Sequence, residues 1–295
     1  YDISTSTYAG DSERCTFDES DVVNQLYDLE ISSDGMKILV ASRRAQGNAD
    51  NDKAYVLSLT SPYDISSCQI TSQTTNLDSD AFLLGSNAGR LTNLAQNRIE
   101  GIEINPEGTK LFLSFTDVPT NNVGARIYEF NLSTPYDLSA SSMSLNLNAG
   151  IALSEDSNTG VEKPNSIRFS SNGKRLFLLS HQSGGQRVTQ ISLTNAYDTS
   201  SFVVDGSFRL NTASYNNSQP RGIAFSPSGL KMYLTKDRSG NPDSGSDQII
   251  EYDLVCPFTI ITGKCPSITE NKDRTGMALA QIEIAKKNID YSTNA

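Results

Sequence analysis

Residues 126–138 read RIYEFNLSTPYDL, and they decide how this chain folds. Glu129, Phe130, Asn131 and Leu132 alternate polar and apolar, the period of a β-strand. Ser133, Thr134 and Pro135 are turn formers and end it. The Tyr-Asp that follows is not unique. SPYDISS stands at 61–67 and NAYDTSS at 195–201, and the chain opens on YDISTST. In EYDLVCPFTI, 251–260, Phe258 takes the tyrosine's place.

A second marker keeps step with the first. SSDGMKI (32–38), NPEGTKL (105–111), SSNGKRL (170–176) and SPSGLKM (226–232) each carry a glycine with a basic residue two positions on. Two markers in one order, four times over, define a repeat of about 60 residues. Each unit reads as four strands. Strand a runs into the glycine turn. Strand b is KILVAS, KLFLSF, RLFLLS or KMYLTK, apolar on both faces. Strand c is the alternating segment, and strand d follows Tyr-Asp. Four antiparallel strands per repeat are a propeller blade, whose faces are buried only by stacking on neighbours. A sandwich requires no such period, and solenoid coils are shorter. The expected fold is therefore an all-β propeller over residues 1–268: four full repeats plus an extra N-terminal strand d. In this reading the repeated tyrosine packs between blades, and its aspartate closes the turn.

The pattern FSPxGxKxYL followed by IxEYDLxxPYD resembles the repeats of lactonase-like, YVTN-type β-propellers. It is most similar to degenerate propeller repeats of marine bacterial, autotransporter-like surface proteins and phage structural proteins. The resemblance implies a propeller, and it is compatible with enzymes, adhesins and scaffolds alike. Lactonase-like propellers would carry their active site in the central channel. No set of residues here matches theirs position by position, so no catalytic residue is assigned.

The loops divide by length. The a–b turns and the c–d turns are tight and uniform. The b–c loops (43–53, 116–125, 181–186 and 236–247) and the d–a loops (148–165 and most of 73–100) are long and polar. In an a-b-c-d meander these long loops share one end of the ring, where binding residues are expected. Asp50 and Asp52 in NADND, and Asp243 and Asp247 in NPDSGSD, are oxygen donors at short spacing and weak Ca²⁺ candidates. The competing reading is ordinary Asn/Asp/Gly turn chemistry. His181, the single histidine, follows Ser180, but adjacency does not make a catalytic pair.

Cys256 and Cys265 bracket eight residues containing a glycine, which suggests a local disulfide and leaves Cys15 for Cys68. Four cysteines allow three pairings, and four buried thiols are the alternative. Paired cysteines imply an oxidising, extracytoplasmic compartment. The formal net charge of −10 argues against nucleic acid, whose phosphates need Lys and Arg. No apolar run approaches the ~20 residues that span a bilayer. The chain opens without Met or a signal peptide, which reads as a processed chain or a part of a longer one.

Residues 269–295 form a separate tail. Ala278, Ile282, Ala285 and Ile289 make one apolar stripe, Asp273 or Thr275 is placed to cap it, and a C-terminal α-helix is expected. The composite expectation is an extracellular or cell-surface module, non-enzymatic, serving adhesion, ligand binding or filament assembly. Self-assembly would run through residues 1–7, from Tyr1 to Thr7, or through the tail helix. The runner-up is a lactonase-like hydrolase.

Overall fold

The computed structural model describes residues 14–15, 25–43, 52–74, 77, 98–116, 126–153, 164–180, 186–210, 218–238, 248–261 and 263–265. Sixteen strands occur among them, with one short 3-10 turn at Ile65–Ser67 and no α-helix. The helix expected over 269–295, His181, and the opening strand at 1–7 lie outside the described residues.

The strands fall into four antiparallel sheets, one per repeat. The first is β1 (Gln25–Ile31), β2 (Lys37–Arg43), β3 (Lys53–Ser58) and β4 (Gln69–Gln73), side by side in chain order. The second is β5 (Arg98–Ile104), β6 (Lys110–Thr116), β7 (Arg126–Leu132) and β8 (Met143–Leu145), with the short β9 (Ile151–Ala152) also pairing β7. The third is β10 (Pro164–Phe169), β11 (Arg175–Ser180), β12 (Arg187–Leu193) and β13 (Phe202–Arg209). The fourth has three strands among the described residues: β14 (Ser218–Phe225), β15 (Lys231–Arg238) and β16 (Gln248–Asp253). This is a four-bladed propeller. Each innermost strand carries a register shift, at Leu26/Asp28, Ile99/Gly101, Pro164/Ser166 and Pro220/Ile223. Such bulges sharpen the local twist that fans the blades around one axis.

Strand b is buried on both faces because each face meets a different neighbour. Leu39 and Ala41 join Ile102, Leu113 and Phe130 in the core between the first two blades. Phe112 and Ile127 join Leu176 and Ile191 between the second and third. Phe177 and Leu179 join Met232 and Leu234 between the third and fourth. The opposite face of the first blade, Ile38, Val40, Tyr55 and Leu57, is packed instead by its own Cys15, Cys68 and Ile70. Between it and the fourth blade lies a cavity of about 420 Å³, lined by Tyr27, Leu29 and Val40 on one side and by Arg221, Gly222 and Thr235 on the other.

The two sequence markers turn out to be one device. Tyr63, Tyr136, Tyr197 and Phe258 all have positive φ, between 49° and 61°. Each backbone N–H donates to the carbonyl of the turn glycine in the same blade: Gly35, Gly108, Gly173 and Gly229, at 2.7–2.9 Å. The ring lies flat on that glycine, so close that a Cβ on Gly108 would sit 2.2 Å from the Tyr136 ring. The repeated tyrosine therefore staples strand c's exit to the a–b turn of its own blade, where the sequence reading placed it between blades. The aspartate does close the turn: Asp64, Asp137 and Asp198 accept the N–H of Ser66, Ser139 and Ser200.

Both expected disulfides are present, Cys15–Cys68 and Cys256–Cys265. No free cysteine remains.

Candidate functional site

The residue before the last of each inner strand faces the axis of the ring: Glu30, Glu103, Arg168 and Ala224 in turn. Asp28 lies one layer deeper. Arg168, from the third blade, reaches across to the first. Its Nη2 donates to Asp28 Oδ1 at 3.1 Å and to the Leu29 carbonyl at 2.7 Å. Its Nη1 donates to the carbonyls of Ile102 and Ile167, at 3.1 and 2.8 Å. Nε faces Glu30 and Glu103 at 3.6 and 3.9 Å. Asp28 accepts further bonds from Ile102 N–H and Ser166 Oγ, each at 3.2 Å. Glu103 accepts from Phe169 N–H at 3.2 Å. One guanidinium thus ties three blades together. The inner strands approach so closely that Gly101 leaves no room for a side chain beside the backbone of Ser166 and Ile167.

Three carboxylates share this single cation, and the balance shows in their acidity. Burial pushes Glu103 well above the usual carboxylate range, and the neighbouring Glu30 adds to it while Arg168 opposes. Burial also raises Asp28 and Glu30 against the pull of Arg168. A depression of about 290 Å³ opens beside them at the turn end, between Glu30, Glu103, Tyr136, Phe169 and Tyr197. Burial raises Tyr197 to about 12. Chemically this is an acidic, proton-holding knot whose guanidinium hydrogen-bonds are already committed to the protein.

The two ends of the ring differ in polar satisfaction. At the turn end, Ser32 and Asp34, Asn105 and Glu107, and Ser170 and Asn172 bond one another and the backbone of their turns. At the b–c end, five buried atoms have no hydrogen-bond partner among the described residues: Ser42 Oγ, Ser114 Oγ and Ser180 Oγ at the exits of strands b, and Arg126 Nε and Tyr128 Oη at the entry of a strand c. Burial raises Tyr128 to about 12.

Of the Ca²⁺ candidates, only Asp52 is described. It is fully buried, and its Oδ2 accepts the N–H of Ile99 at 2.7 Å, linking the first two blades. Asp50, Asp243 and Asp247 lie outside the described residues. Among the described residues no group of three or more His, Cys, Asp or Glu side chains is placed to hold a metal ion. The axial knot has no motif in the sequence. It becomes visible only when the four repeats are aligned on their glycine turns, which puts Glu30, Glu103, Arg168 and Ala224 in one column.

No protein-family model matches the chain, and no curated protein does. Solved structures similar to it include TolB from Acinetobacter baumannii, at 14% identity and a TM-score of 0.39, over 79% of this chain and 42% of TolB. A protein from Lactobacillus plantarum matches at 13% identity and a TM-score of 0.41, over 78% of this chain and 72% of its own length. The β-propeller domain of Cps50 (Swd1) from Myceliophthora thermophila matches at 11% identity and 0.38, over 77% and 73%. This chain spans less than half the length of TolB. These likenesses are remote, and the propeller assignment rests on the four sheets themselves.

Proposed function

We propose that the chain is an extracytoplasmic, non-enzymatic β-propeller module that binds or assembles through the b–c loop end of the ring. The observation behind this reading is the contrast between the ends. The axial charges and the turn end spend their polar groups on one another, whereas the loop end keeps buried polar atoms without a protein partner. An unmet buried donor or acceptor costs about 1–3 kcal/mol, and such atoms in native proteins call for a water, ion or ligand. The two disulfides support an oxidising compartment, and the net charge of −10 suits neutral or basic partners better than anionic ones.

Loop exchange tests this. The b–c loops 44–51, 181–185 and 239–247 are replaced by short glycine turns, and binding to beads of neutral polysaccharide or basic protein is compared with that of the parent. The expected result is an unchanged melting temperature with binding lost. Binding that survives loop exchange and disappears with changes at Ser33, Glu107 or Asn172 overturns the proposal. Calorimetry with CaCl₂ alone, on the parent and on an Asp50→Asn/Asp243→Asn/Asp247→Asn variant, reads whether these carboxylates hold Ca²⁺. The raised Glu103 carboxyl favours a second reading, a lactonase-like hydrolase with a proton donor in the channel. Lactone hydrolysis by the parent that is abolished in Glu103→Gln would establish it instead.

A further inference from the structure

The fourth blade lacks a strand d among the described residues, and its place is marked. In the other blades strand d starts five to seven residues after the staple tyrosine, at Gln69, Met143 and Phe202. The corresponding residues after Phe258 are 263–265. They are described, they are exposed, and they do not pair with β16. The Cys256–Cys265 bond turns this stretch back, and it lies over the third blade instead: Arg175 donates to the Lys264 carbonyl at 3.3 Å, and Lys264 Nζ faces Asp205 at 4.0 Å. Beside the vacated edge is an apolar cavity of about 220 Å³, lined by Phe208, Met232, Tyr252, Leu254 and Ile261. In the first blade Ile70 of β4 packs on the equivalent site, opposite Leu57. Ile249 and Val255 are 66% and 95% exposed. An open strand edge with apolar residues around it is a template for another strand.

We propose that residues 3–7, Ile-Ser-Thr-Ser-Thr, are that strand, supplied by the same chain, with Ile3 opposite Tyr252 and its side chain in the cavity. The segment belongs to the one Tyr-Asp phrase that has no glycine seat, since all four seats are taken by Tyr63, Tyr136, Tyr197 and Phe258. Its Thr and Ile content suits a strand. It is also close at hand. Cys15, bonded to Cys68, lines the cavity between the first and fourth blades together with Thr235 of β15. Residues 8–14 reach up to about 24 Å, and the vacant lane lies two strand spacings, about 10 Å, from β15. The strand would join the ring across its least packed seam. The other three seams are each latched by an N–H two residues after the staple ring, given to a side chain of the preceding blade: Leu138 to Ser72, Thr199 to Glu129, and Ile260 to Gln190. No such bond is made by Ile65, the counterpart at the fourth seam, among the described residues. Glu251, which aligns with Glu129 and Gln190, faces Lys231 of its own blade instead.

Hydrogen exchange on β16 in the oxidised full-length chain, read together with sedimentation, decides the matter. The proposal predicts a monomer in which β16 amides on the outer edge are protected, and a selective loss of that protection in Ser4→Pro/Thr5→Pro. Adjacent amides point to opposite sides of a strand, so one of the two prolines removes a ladder bond whichever the register. Amides of β11 serve as the internal control for folding. Outer β16 amides that exchange freely in the parent overturn the proposal. So does protection that ignores the prolines, which assigns the lane to residues after Cys265. Protection that appears only with concentration-dependent association overturns the same-chain claim and assigns the strand to a second copy.

Discussion

A tyrosine seated on a glycine, four times over, is the smallest unit of this fold. Both partners are conformationally demanding: the glycine has φ near +70°, and the aromatic residue takes the left-handed region that non-glycine residues seldom enter. Gly108→Ala should cost about 3 kcal/mol, from left-handed strain plus overpacking against Tyr136, read as a lower urea midpoint at unchanged slope. The sequence displayed both markers but not their contact, because nothing in a one-dimensional pattern says that Tyr136 will adopt positive φ. Glu129 was misjudged for a related reason. Alternation puts it on a polar face, yet that face is covered by the third blade, and Glu129 is fully buried, bonded by Lys110 and Thr199. Glu103 carries a pH signature. Its folded-state acidity is weakened, so the folded chain holds this proton above the pH at which the unfolded chain has released it. Its contribution is therefore most favourable at low pH and is lost as pH rises through the folded-state value. In urea titrations at pH 5 and pH 8, Glu103→Gln should gain stability over the parent at pH 8 and little at pH 5.

Elements hold by local closure and by what crosses between them. The strands and their order were legible from the period, and so was the local Cys256–Cys265 bridge. The diversion of the fourth strand d onto the third blade was not, since it depends on Arg175 and Asp205, far away in sequence. The two disulfides should differ in weight. Chain-entropy arguments assign about 4 kcal/mol to Cys15–Cys68 and about 2.5 kcal/mol to Cys256–Cys265, because their sequence separations are 53 and 9. Paired serine substitutions, compared by thermal unfolding, should rank in that order.

At the scale of the molecule, four blades share one buried cation. Arg168→Leu leaves Asp28, Glu30 and Glu103 facing one another without it, and breaking such a buried cluster costs about 3–5 kcal/mol. The number of blades could be counted from the sequence, but their convergence on Arg168 could not, because its partners are spread over three repeats with no local spacing to betray them. That convergence is the central claim, since only a closed arrangement of blades brings β1 against β10, with Asp28 and Arg168 140 positions apart in the chain. A double-mutant cycle of Asp28→Asn and Arg168→Gln, followed by urea unfolding, tests it directly. The ring predicts a coupling energy of about 1–3 kcal/mol between the two sites, whereas additivity to within about 0.5 kcal/mol would contradict it.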